Sequence, residues 1–218
     1  MLWRANQALC LIRLKNYLSM IEQIDQWDKN LMLWLNSLHL PWLDTLMLLV
    51  SHKFFWLPLY AGLVIWLIWK EKWQTVYLLV SIALVVTVAD RFTSGFMKPF
   101  FERPRPCHDP EIGHLVRIIG GCGGKYGFAS SHAANVFGLA AFFWTLFGRY
   151  HKSMALLFLW AVLVSYSRVY LGVHYPTDIS IGAIIGIISG WAICRLWLWA
   201  QFKLPPAKEL LTRKRKTA

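Results

Sequence analysis

The sequence predicts an all-α integral-membrane bundle of about six helical elements, and three observations carry that expectation. Apolar runs of near-membrane length recur at 54–69, 73–89, 133–147, 153–169 and 179–200, and a bilayer core asks for about 20 helical residues. Of 218 residues, 57% are hydrophobic and 13 are Trp, with a mean hydropathy of +0.43, above what soluble domains carry. The formal net charge is +12, and nearly all of the basic residues lie outside these runs.

Taken in order, residues 1–40 form an amphipathic N-terminal region in which Arg4, Arg13 and Lys15 interrupt Leu and Ile. That pattern suits an interfacial segment, and no cleavable signal peptide is expected. Residues 31–50 are long enough to cross but hold Asn36, His39, Pro41 and Asp44. They read either as a sixth span broken at Pro41 or as two short interfacial helices, and this first element is not expected to cross fully. Two spans follow, then a long loop over 93–131, three further spans, and a basic tail over 203–218. The whole is expected to be one membrane-embedded domain, 1–218.

Orientation follows from Lys and Arg in the short connections. Lys70 and Lys72, Arg149 and Lys152, and the tail Arg213–Lys216 fall on one side of alternating spans, which assigns that side and the C-terminus to the cytoplasm. The 93–131 loop then faces the exterior or periplasm of a cytoplasmic (inner) membrane. Its own cations, Lys98, Arg103, Arg105, Arg117 and Lys125, run against the charge rule and suit an anion site instead. The basic balance therefore points to lipid phosphate and membrane lipids, and excludes nucleic acid as the partner.

Three polar segments carry the chemistry. In the first, Lys98, Arg103 and Arg105 alternate with Pro99, Pro104 and Pro106, and guanidinium forks match phosphate oxygens. A basic patch against headgroups is the plainer reading. The second, Ser130–Ser131–His132, opens an Ala-rich helix. Ser is a favoured N-cap, free backbone N–H groups there attract anions, and His132 can donate a proton to a leaving oxygen. A capping Ser followed by an exposed His accounts for the same residues. In the third, Pro176 starts a helix with Asp178 in its first turn, His174 stands on the loop before it, and Arg168 ends the preceding run. His174 and Asp178 match a base and its orienting carboxylate, or else a loop His and a capping Asp.

Together these segments resemble the signature of the type 2 phosphatidic acid phosphatase superfamily: Lys-x6-Arg-Pro, Pro-Ser-Gly-His and Ser-Arg-x5-His-x3-Asp. The likeness covers about Lys98–Asp178, with full matches in the first and third segments. The middle segment departs twice, with Ala129 in place of Pro and Ser131 in place of Gly. The resemblance implies a metal-free phosphatase without cofactors. His174 would be the nucleophile forming a phosphohistidine, Asp178 its orienter and His132 the general acid. Lys98, Arg105 and Arg168 would clamp the phosphoryl oxygens, with Ser130 assisting and the Ser131 hydroxyl replacing a backbone approach.

Undecaprenyl diphosphate and lipid A phosphate are the expected substrates, with phosphatidylglycerophosphate and phosphatidic acid as alternatives. A vanadate-dependent haloperoxidase shares these residues, but those enzymes are soluble. A non-catalytic lipid-phosphate binder or transport protein needs the cations and no nucleophile, so the two His argue against it.

Cys107 and Cys122, in one outward loop, are expected to form a disulfide that stiffens the approach to Ser130; two free thiols are the alternative. Cys10 and Cys194 read as core thiols. The glycines of 120–127 suit a tight loop beside a ligand or a flexible connector. Gly182, Gly186 and Gly190, at four-residue spacing, predict close helix contact inside the bundle, with an oligomer seam as the alternative.

Overall fold

The computed structural model describes residues 2–203, with side chains resolved in detail from residue 13 to 201. Cys10 and the basic tail lie outside the residues whose side chains are described.

Helix α1 (Leu2–Ser37) runs 36 residues, and a three-residue break separates it from α2 (Pro41–Ser51). The 31–50 stretch is therefore split between two helices. Pro41 supplies the physical reason, because its missing N–H and fixed φ are tolerated in a first helical turn and not in a helix interior. Asn36 then fastens the end of α1. Its amide nitrogen donates to Tyr170 O at 2.8 Å and Arg117 O at 3.0 Å, and its carbonyl accepts from Arg117 N at 2.8 Å.

The helical stretch Lys53–Phe101 is long and apolar enough to cross a membrane, and it bends at Lys72, whose φ is 49°. Its arms are α3 (Leu57–Glu71) and α4 (Thr75–Asp90). The second arm continues through a π-helical turn at Arg91–Met97 into α5 (Lys98–Phe101). The long loop thus starts at Glu102 and not at Thr93, and Lys98 sits on a helix end. After the loop come α6 (Ser131–Phe147), α7 (Leu156–Tyr170) and α8 (Pro176–Lys203). The stretches Lys152–Tyr170 and Pro176–Gln201 are also long and apolar enough to cross, while α2 and α6 are shorter apolar helices. The protein is an all-α, multi-pass membrane bundle.

Helices α6 and α8 form its spine. A Cβ on Gly182, Gly186 or Gly190 would fall 2.4, 2.2 or 2.2 Å from the carbonyl oxygens of Ser130, Ala134 and Gly138. The glycine series is thus spent inside the bundle, letting two backbones touch as small residues do in membrane helix pairs. Around this spine pack Leu67, Leu78, Val85, Phe142, Phe143, Trp160 and Val164. The outer surface is apolar as well. Ile65, Val80, Leu84, Leu159 and Ile188 are exposed, as lipid-facing side chains must be.

Candidate active site

Three chain segments meet at one end of the spine, each placed by a local rule. At the start of α8, Asp178 lies in the first turn, and its Oδ2 accepts from Tyr175 N at 3.1 Å and contacts His174 Nδ1 at 3.1 Å. Gly172, at φ 78°, makes the turn from α7 to His174. A side chain there would also meet Arg117 O at 2.8 Å, so the position needs glycine on two counts. With Nδ1 engaged by the carboxylate, His174 turns its other nitrogen to a cavity. Burial pulls its pKa down to about 4, against the opposing pull of Asp178, so the ring is neutral at physiological pH.

Arg103 holds the other carboxylate oxygen, with Nη1 3.2 Å from Asp178 Oδ1. Its second nitrogen reaches Asp28 at 2.8 Å and Asp25 at 3.1 Å, and its guanidinium lies 4.0 Å over the Tyr175 ring. Burial opposes the Arg103 charge, but Asp178 and Asp28 outweigh it and raise the pKa. Gly127 closes this corner, since a Cβ there would lie 2.9 Å from Asp178 Oδ2.

At the start of α6, Ser130 is fully buried. Its hydroxyl caps Ala133 N at 3.5 Å, and its own N–H donates to Asp178 O at 3.0 Å, tying two helix starts together. Ser131 serves as a hub: its Oγ lies 2.6 Å from Ser94 Oγ, 3.0 Å from Thr93 Oγ1 and 3.3 Å from Lys98 Nζ. One of the two residues that depart from the family pattern therefore anchors the π-helical turn and positions the lysine. His132 follows it, exposed to the cavity.

The cations converge from separate elements. Lys98 comes from α5. Arg105 is threaded through the loop by bonds from Nη1 to Cys122 O at 3.1 Å and from Nε to Tyr126 O at 3.3 Å. Arg168 comes from the end of α7, donates to the Ser51 hydroxyl, and keeps a buried Nε without a partner among the described residues. A cavity of 590 Å³ opens beside Lys98 and Arg105. Its polar end holds Lys98, Arg105, Ser131, His132 and His174, and its apolar length is lined by Trp56, Leu63, Val86, Leu139, Phe143 and Trp160.

The sequence patterns match known proteins accordingly. Residues 74–202 match the PAP2 superfamily. The lipid A 4'-phosphatase of Bacteroides thetaiotaomicron is 42% identical over 79% of this chain and 77% of its own. The chain belongs to the PAP2 superfamily. The lipid A 4'-phosphatase of Porphyromonas gingivalis is 35% identical over 83% of this chain and 77% of its own. Among solved PAP2 structures, Aquifex aeolicus LpxE superposes with a TM-score of 0.58 at 27% identity, covering 76% of this chain and 93% of that one. As a PAP2 member with these relatives, the protein is a membrane-embedded phosphatase.

Some site residues gave no motif in the sequence. Asp25, Asp28 and Lys29 on α1 form the back wall of the Asp178 corner. Thr177 N donates to Asp28 Oδ1 at 2.9 Å, and Lys29 Nζ bridges Asp25 and Glu111 at 2.7 Å each. Only the i,i+4 spacing of Asp25 and Lys29 hinted at them. Lys53 was likewise unmarked, and it lines the cavity beside Ser51. Cys107 and Cys122 come together with their Cα atoms 6.1 Å apart, inside the range that a disulfide spans.

Proposed function

We propose that the protein hydrolyses the phosphate monoester of a lipid A-type glycolipid through a phosphohistidine, without a metal ion. The observation that carries this reading is the His174–Asp178 pair: a neutral imidazole, tied through Nδ1, faces a cavity whose polar end holds fixed cations. The donor set favours a phosphate dianion directly. Lys98, Arg105 and Arg168 supply the charge that a divalent ion supplies elsewhere, and the Asp178 oxygens are already engaged by His174, Tyr175 N and Arg103.

In the first step His174 Nε2 attacks phosphorus while the bond to the lipid oxygen breaks, and His132, which takes up a proton beside the bound phosphate dianion, passes that proton to the leaving oxygen. In the second, His132 takes a proton from water, whose oxygen displaces the imidazole and releases inorganic phosphate. Asp178 stabilises the charge that appears on the ring, and the cations hold the equatorial oxygens throughout. Ser130 and Ser131 act by fixing the start of α6 and the Lys98 ammonium.

The relatives at 42% and 35% identity support lipid A phosphate over undecaprenyl diphosphate. The charge distribution supports a site facing the periplasm of the inner membrane, with the C-terminus in the cytoplasm. Phosphate release by purified protein in EDTA tests the proposal, using phosphorylated lipid A as substrate. Turnover that persists in EDTA and falls roughly a thousandfold or more in His174→Ala is expected. Dependence on added metal, or near-normal turnover by that variant, overturns it.

A further inference from the structure

Below the cations lies a second polar layer that the hydrolysis itself does not use. The Ser94–Ser131 contact, at 2.6 Å, fixes the register of the π-helical turn against α6. Asp90 is one turn before Ser94 on its helix, close enough for Ser94 Oγ to reach Asp90 Oδ1 at 3.4 Å. Asn135 is one turn after Ser131 on the facing helix. The next layer down is apolar, where Val85 closes on Gly138, with a Cβ there 2.9 Å from Val85 Cγ1. A carboxylate and an amide therefore stand opposite each other one turn deeper in the membrane than the phosphate clamp, and both line the cavity. Asn135 Oδ1 is buried and has no partner among the described residues. An unpaired amide against an otherwise apolar wall is a cost that a bound polar group removes.

We propose that Asp90 and Asn135 are specificity residues that hydrogen-bond a neutral donor-bearing group next to the substrate phosphate. That group is a hydroxyl or amide N–H, as on an acylated amino sugar. The inference rests on the phosphatase reading and narrows it. With the phosphate among Lys98, Arg105 and Arg168, the first atoms of the leaving group reach this layer. Asp90 only accepts, so it welcomes a hydroxyl or N–H and repels a second phosphate there. Asn135 completes the pair by accepting or donating as the sugar requires. A lipid with esters alone around its phosphate has no donor to offer and leaves Asn135 Oδ1 unpaired.

The test compares phosphate release from two monoesters in the same detergent: an acylated glucosamine phosphate, which carries hydroxyl and amide donors, and phosphatidic acid, which carries none. Wild type, Asn135→Leu and Asp90→Asn are assayed as purified, full-length protein. The ratio of kcat/KM for the glycolipid to that for phosphatidic acid is expected to fall about tenfold in each variant. KM for the glycolipid carries most of the change. A ratio unchanged within about twofold in whichever variant folds, or a wild type that prefers phosphatidic acid, overturns the assignment while leaving the phosphatase intact. A wild type that releases phosphate from neither lipid removes the phosphatase reading itself, and this inference with it.

Discussion

Asp28 Oδ1 accepts the backbone N–H of Thr177 at 2.9 Å, so a side chain from α1 caps the helix that carries Asp178. The same carboxylate binds Arg103 at 2.8 Å, and Arg103 in turn holds Asp178. An N-terminal helix outside the matched family region thereby orients the proposed nucleophile at third hand.

Removing that carboxylate takes away both a helix cap and one partner of a half-buried guanidinium. Asp28→Ala is expected to cost about 2 kcal/mol, from the lost cap on Thr177 N and the loss of one of the three carboxylates that hold Arg103. Asp28→Asn keeps an oxygen for Thr177 N and recovers about 1 kcal/mol of this. Thermal unfolding of the purified protein in detergent measures both. Equal midpoints for wild type and Asp28→Ala would show that α1 does not support α8.

The spine makes a sharper steric prediction. A methyl at Gly186 would sit 2.2 Å from Ala134 O and 2.8 Å from Gly138 N, both backbone atoms that cannot swing aside. Gly186→Ala should therefore destabilise by about 1–3 kcal/mol, and Gly186→Leu should yield no monodisperse protein. Gly62 on α3 has no atom within 4 Å of the same methyl, so Gly62→Ala is expected to be neutral or stabilising by up to about 1 kcal/mol. Size-exclusion profiles and unfolding midpoints of the three variants separate close packing from a general intolerance of added side chains.

Much of this architecture was legible because membrane chains announce themselves. Apolar length marked the helices, Pro41 marked a break and Pro176 a helix start, and the four-residue glycine spacing marked a close helix contact inside the bundle. The site segments were legible because phosphate chemistry needs cations and imidazoles that lipid-facing sequence otherwise avoids. What stayed hidden depends on tertiary register. The pattern of Asp25, Asp28 and Lys29 equals that of any solvated helix face until α1 docks against Tyr175 and Thr177. Lys98 falls inside the expected 93–131 loop, yet it opens α5, with Pro99 in the first turn, where proline is tolerated. Ser131 looked like a lost glycine, and only the position of Thr93 and Ser94 on the π-helical turn turns its hydroxyl into a hub.

Acid should act on His174 in a defined direction. Its folded pKa is about 4, lowered chiefly by burial, while the unfolded chain titrates near 6.5. The folded state thus favours the neutral ring. That contribution is fully present above about 6.5, declines as pH falls toward about 4, and changes no further below it. Within the window this one residue lowers stability by up to about 1.4 kcal/mol per pH unit. Unfolding midpoints of wild type and His174→Phe between pH 7 and 4 are expected to converge as pH drops. Parallel curves would mean that His174 binds a proton equally well in both states.

The loop that carries Arg105 offers a last test. Arg105 Nη1 donates to Cys122 O at 3.1 Å, and Arg105 N donates to Lys125 O at 3.0 Å, so the guanidinium is aimed by the segment that Cys122 anchors. With Cα atoms 6.1 Å apart and a sequence separation of 15, a bridge from Cys107 to Cys122 would restrict this loop by about 3 kcal/mol on the chain-entropy account. Protein isolated without reductant should bind maleimide at neither position, and both should label after reduction. Cys107→Ser should then raise KM for the lipid phosphate several-fold while sparing kcat, because Arg105 loses a fixed support and His174 does not. Full labelling before reduction would remove the bridge, and unchanged KM in Cys107→Ser would show that the Arg105 contacts hold the loop unaided.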